Sequence, residues 1–186
     1  MRWILLGPPG SGKGTQAKRL AAAHNAAHLS TGDLLRAEVA AQSELGKTAK
    51  AFMDRGELVP DDLILKMIRA RLEHMTNGGF ILDGFPRTIP QAEELDRMLE
   101  EIGEPLDCAV LVSVGDDEIK ARIAGRARLE GRADDTAEVI ERRLQVYRSQ
   151  TEPLVEYYRR DGRLVEVNGE QDIDRVYQDL ETVVVG

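Results

Sequence analysis

Gly7-Pro8-Pro9-Gly10-Ser11-Gly12-Lys13-Gly14-Thr15 stands between a short apolar run, residues 3–6, and a helix-patterned segment reaching about residue 24. Strand, glycine-rich turn and helix in that order can gather backbone N–H groups around an anion. Glycine permits the close approach and unusual dihedrals that inward-pointing amides need. The helix N-terminus adds positive potential, and Lys13 can reach outer phosphates as a point charge. The pattern predicts a phosphate loop built from Gly10, Ser11, Gly12, Lys13, Gly14 and Thr15. It departs from the general form at one place. The Ser or Thr that should follow the lysine and hold magnesium is Gly14, with the hydroxyl one position later at Thr15.

Working outward, short apolar runs alternate with longer helical segments. Strands are predicted at 3–6, 28–30, 80–82 (ending on Asp83), 108–114 and 164–167. Helices are predicted from the loop to about 24, then over 31–42, 45–55, 60–75, 90–102, 116–126, 136–160 and 173–184. The near-continuous apolar run at 108–114 belongs to a strand buried on both faces, as in a parallel sheet. The alternation predicts an α/β fold of the P-loop NTPase type: a parallel five-stranded sheet with helices on both faces. With no internal repeat, low-complexity tract or Pro-rich linker, the 186 residues read as one domain.

The formal net charge of −8 argues against generic binding to nucleic acid or to an anionic membrane. No apolar run approaches the roughly 20 residues that span a bilayer. The N-terminus carries no signal-peptide pattern, so the expectation is cytoplasmic. The single cysteine, Cys108, excludes an internal disulfide and reads as a small buried hydrophobe. His24, His28 and His74 lack metal-ligand spacing and read as structural, Trp3 as sheet core, and the tyrosines as packing residues. Against the acidic background, Lys120, Arg122, Arg126, Arg128 and Arg132 face one acid, Glu130, in a short stretch. That concentration suits a compact anionic ligand.

Two further segments have a chemical reading of their own. In Ser30-Thr31-Gly32-Asp33 with Arg36, and Asp83-Gly84-Phe85-Pro86-Arg87 with Gln91, the arginines offer planar forks suited to one phosphate. Gly84 and Pro86 make a rigid turn at the C-terminal end of a strand, where open α/β sheets bind ligands. Asp83 ends that strand facing the phosphate loop, a place for a carboxylate that orders magnesium and its waters.

Together with Gly-Lys-Gly-Thr-Gln at 12–16, these motifs resemble the adenylate kinases, within the nucleoside monophosphate kinases, over essentially the whole chain. The resemblance implies magnesium-dependent phosphoryl transfer from ATP to AMP, giving ADP, by a monomer. It implies a core of residues 1–29, 60–121 and 137–186, an AMP-binding segment at 30–59 and a short lid at 122–136. The AMP site would comprise Thr31, Gly32, Arg36, Glu57, Leu58, Val59, Gly84, Phe85, Pro86, Arg87 and Gln91. Gln91 would read adenine, whose adjacent donor and acceptor match an amide; relatives acting on UMP or CMP typically carry Asn in this region.

Arg122 and Arg126 would contact ATP, with Arg128 an alternative register for Arg126. Arg132 and Arg143 would bridge toward AMP and the transferred group. Asp134 and Asp135 would orient these arginines, or help cap the helix that follows. Gly125 and Gly131 are the expected hinges. The lid has no cysteine, so the zinc site of some long-lid relatives is not expected. Gln171, in a position that is often lysine, is expected to offer ATP only a backbone contact.

Overall fold

A computed structural model describes residues 1–73, 79–130 and 136–185, without the side chains of 124, 126–130 and 185. Five parallel strands form one sheet: β1 (Arg2–Leu6), β2 (Ala27–Ser30), β3 (Phe80–Asp83), β4 (Cys108–Ser113) and β5 (Leu164–Asn168). Their order across the sheet is β2-β3-β1-β4-β5. Register sets Leu5 beside Asp83 and Ser30 on the other side of it, so three strands end together.

Alternation along the strands feeds two cores. Ile4, Leu6, Phe80, Leu82, Ala109 and Leu111 pack with Ile64 and Ile68 of α4 (Asp61–Glu73), Leu95 and Leu99 of α5 (Ile89–Glu101), and Leu154 and Tyr158 of α8 (Pro153–Arg160). Trp3, Leu5, Ile81, Val110 and Val167 pack on the opposite face with Ala17 and Leu20 of α1 (Lys13–Ala23) and Val176 and Leu180 of α9 (Ile173–Val185). Each fully buried leucine of this kind contributes about 1.5–3 kcal/mol. Cys108 sits partly buried against the second core, and burial pushes its thiol up to about 12.

Side chains cap several helices. Ser30 accepts from Asp33 N at the start of α2 (Thr31–Ala40), and Ser43 from Gly46 N at the start of α3 (Glu44–Met53). Thr88 caps α5 and Thr136 caps α7 (Ala137–Val146) in the same way. α1 differs. Gly12 at its N-cap is left-handed, with φ 93°, and no side chain takes the first-turn amides.

Two expected elements differ from what forms. The helix expected over 116–126 runs on as α6 (Asp116–Glu130), which places Gly125 inside a helix. The single helix expected over 136–160 is α7, a π turn (Tyr147–Thr151) and α8. Pro153 is the reason. It has no N–H to continue an α-helical ladder, and Glu152 N donates to Tyr147 O, five residues back, at 2.8 Å.

One ion pair fixes α5 against the sheet. Arg163 donates to both carboxylate oxygens of Asp96, at 2.8 and 2.9 Å, and Tyr157 Oη donates to the same group at 2.9 Å. Replacing Asp96 with Ala takes from Arg163 its two-oxygen acceptor, leaving it only Asp161, and strips the Tyr157 phenol of its acceptor, at a cost of about 2 kcal/mol. Thermal unfolding of Asp96→Ala should show a midpoint roughly 4–8 °C lower. Thiol reagents at neutral pH should label Cys108 slowly in the folded protein and fast once denaturant is added.

Candidate functional site

The C-terminal ends of β1, β2 and β3 open into a cleft of about 580 Å³. Its floor is the loop that follows β1. Lys13 Nζ lies over that loop, donating to Gly7 O at 2.7 Å, Pro8 O at 2.8 Å and Ser11 Oγ at 3.2 Å. Left-handed Gly12 turns the chain into α1 with open space where a side chain would stand. Uncapped amides, a helix N-terminus and an ammonium thus converge on one point, an arrangement suited to phosphate.

Arg122 of α6 spans this end of the cleft. Its guanidinium donates to Gly169 O at 2.8 Å and to Ser11 O at 3.5 Å, and Glu118 accepts from its Nε at 2.6 Å. The phosphate loop is thereby tied to the turn after β5. Gln171 in that turn directs its side chain to Asn168 O and Asp179, and it does not line the cleft. Ser11 is also turned inward, 2% exposed.

Asp83 stands between the two ends. Its Oδ2 lies 3.8 Å from His28 Nε2, beyond hydrogen-bond range, and 3.3 Å from where a Cβ on Gly14 would sit. Burial pushes the carboxyl up, but His28, Lys13 and Arg87 outweigh it and hold the group below its ordinary value. An ionised, largely buried carboxylate is a hard oxygen donor. Among the described residues no cluster of three His, Cys, Asp or Glu could cage a metal. One carboxylate beside a phosphate loop fits magnesium, which keeps most of its waters and shares phosphate oxygens.

The far end is built by arginines. Arg87 Nε donates to Gly84 O at 2.7 Å, while its own N–H donates to Gln91 Oε1 at 2.8 Å. Burial lowers the Arg87 pKa, as do Arg143 and Arg36, against the opposing pull of Asp83. Three guanidinium groups therefore share one field. Arg36 donates to Asp33 Oδ1 at 2.5 Å. Gln91, 2% exposed, donates from Nε2 to Asp61 Oδ1 at 2.6 Å, so the amide is held at both ends. Thr31 Oγ1 donates to Gly84 O at 2.8 Å. Gly32, Glu57, Leu58, Val59 and Pro86 line the wall, whereas Phe85 is 1% exposed in the core and does not.

Of the expected lid, Arg122 and Gly125 line the cleft, and Arg143 of α7, beyond the lid, lines it too. Arg132, Asp134, Asp135 and Gly131 fall outside the described residues, as do the side chains of Arg126 and Arg128. The cleft also holds Lys18, Asp33, Tyr147 and Thr151, which sequence reasoning left out, and His28 sits against Asp83. Asp33 was within reach of sequence, three residues before an arginine on one helix face. His28 and Thr151 needed the strand register and the π turn.

A family profile described as adenylate kinase matches residues 5–163. An adenylate kinase of Stenotrophomonas maltophilia is 53% identical over 177 residues, 95% of each chain. One from a Synechococcus species is 49% identical over 186 residues, all of this chain and 96% of the relative. One from Xanthomonas euvesicatoria is 52% identical over 179 residues, 96% of each.

Gly84, at φ 81°, would put a Cβ 2.8 Å from Thr31 Oγ1 and 3.1 Å from an Arg87 nitrogen. Left-handed backbone costs a non-glycine residue about 1–2 kcal/mol. Gly84→Ala should lower the melting midpoint by roughly 2–8 °C.

Proposed function

Because this chain belongs to the adenylate kinase family and reversibly transfers a phosphoryl group from ATP to AMP, giving two ADP, we propose how its cleft divides the work. ATP lies on the phosphate loop, its phosphates held by the amides of 10–15 and by Lys13, with Arg122 and Arg126 closing over it. The backbone near Gln171 lies beside the ATP base. AMP lies at the other end, its phosphate between Arg36 and Arg87. Its base lies among Thr31, Val59 and Gln91, bordered by Gly32, Glu57, Leu58 and the turn of Gly84 and Pro86. The observation that carries this division is the convergence of Arg36, Arg87 and Arg143 opposite the phosphate loop, within one cleft.

Transfer is direct and in line. The AMP phosphate is already an anionic nucleophile, so no general base is needed. Bringing two polyanions together requires charge neutralisation and exclusion of water. Arg132 and Arg143 neutralise the transferring group, a contribution that can reach about 10³–10⁵ in rate for such an arginine. Asp134 and Asp135 orient the lid arginines. Asp83 would hold magnesium through water, and the ion would neutralise charge on the ATP phosphates. Residues 30–59 and 122–136 act as the AMP-binding segment and the lid of the remaining core. The protein works as a monomer in the cytoplasm.

The test is turnover with ATP and each of AMP, GMP, CMP and UMP in turn. ADP should accumulate as product only with AMP, and Arg87→Ala should lower kcat/KM for AMP by about 10²–10³. Comparable turnover of UMP or CMP would overturn the assignment of Gln91 to the adenine.

A further inference from the structure

Thr151 closes the π turn, the one irregular turn between the helix that carries Arg143 and α8. Its Oγ1 donates to the backbone carbonyl of Arg87 at 2.8 Å, across 64 residues of sequence. It also lines the cleft. Nothing in the roles assigned above uses this contact.

Its geometry depends on the π turn. An α-helix advances about 100° per residue, so the extra residue taken up at Tyr147–Thr151 rotates everything after it by about that angle. Without that residue, the Thr151 hydroxyl would point to another side of the helix and miss Arg87 O. Pro153, two residues on, removes the N–H that an unbroken helix would need there.

What the bond joins is specific. On one side is Arg87, already fixed through Gln91 Oε1 to its N–H and through Gly84 O to its guanidinium. On the other is the C-terminal end of α7, whose Arg143 faces the same phosphate position and repels Arg87. Two like charges aimed at one anion separate unless their backbones are tied. Thr151 ties them.

We propose that Thr151 is a positioning residue: its hydroxyl, aimed by the π turn, locks the backbone of Arg87 to the helix of Arg143 and sets the two guanidinium groups at the spacing one phosphate requires. The inference rests on the placement of the AMP phosphate between these arginines. It assigns to Thr151 no contact with substrate.

Thr151→Val keeps the β-branched shape and removes the hydroxyl, and Thr151→Ser restores it. AMP, adenosine and ATP are titrated by calorimetry against the wild type, both variants and Arg87→Ala, with kcat and KM measured for each. Thr151→Val should weaken AMP by roughly tenfold, the size expected for one hydrogen bond, and should lower kcat. Adenosine, which has no phosphate, and ATP should bind as in the wild type, and Thr151→Ser should lie within about twofold of it. Thr151→Ala carries the same test if the valine variant melts below the assay temperature. Unchanged AMP affinity in the hydroxyl-free variant overturns the inference. So does equal weakening of AMP and adenosine, which would signal general loosening, or failure of serine to rescue. If Arg87→Ala also binds AMP normally, the site reading itself falls. If Arg87→Ala loses AMP and Thr151→Val does not, only the role of Thr151 falls.

Discussion

Arg36, Arg87 and Arg143 bring permanent positive charges into one cleft, and their mutual repulsion has to be opposed by rigid attachment. At an effective dielectric of about 20, two unit charges 4 Å apart repel by about 4 kcal/mol. An overall charge of −8 softens the long-range field but does little for groups this close. The structure meets the problem locally. Asp33 holds Arg36, Gly84 O and Gln91 hold Arg87, and Asp83 adds negative charge from the end of β3. Three guanidinium groups held at one end of a cleft suit a ligand rich in phosphate.

The parallel sheet supplies the rigidity. Because β1, β2 and β3 end in register, the phosphate loop, Ser30 and Asp83 are delivered to one edge, with β1 and β3 packed into the cores on both faces of the sheet. The cores that stabilise the fold are therefore the same residues that hold the site to its dimensions. α5 is a clear instance. Leu95 and Leu99 pack it under the sheet, Asp96 anchors it through Arg163, and its first turn presents Gln91 to the cleft. Local backbone then adjusts the aim: left-handed Gly12 opens the first turn of α1, and left-handed Gly84 lets Arg87 fold back on the turn that carries it.

Much of this was legible in the residues. The strands formed within a residue or two of their expected limits, because each is a short apolar run bounded by glycine, proline or acidic turns. Most of the expected site residues lie in one cleft, for the phosphate loop, the Asp-Gly-Phe-Pro-Arg turn and Gln91 are local motifs. Phe85 shows the limit of motif reading: it sits within the right segment, yet its side chain turns to the core. A motif identifies a stretch of chain, and packing decides which of its side chains face the ligand.

Sequence alone thus determined the alternation of strands and helices, the loop that takes phosphate, and the residue types available to a second nucleotide. These follow from glycine and lysine spacing, apolar periodicity and strand-end turns, all interactions between near neighbours in the chain. Tertiary structure alone decided that His28 lies against Asp83. It alone placed Thr151 beneath Arg87 and gathered three arginines at one point. Strand register and long-range contacts depend on how two whole faces of the sheet pack, and no local pattern carries that information.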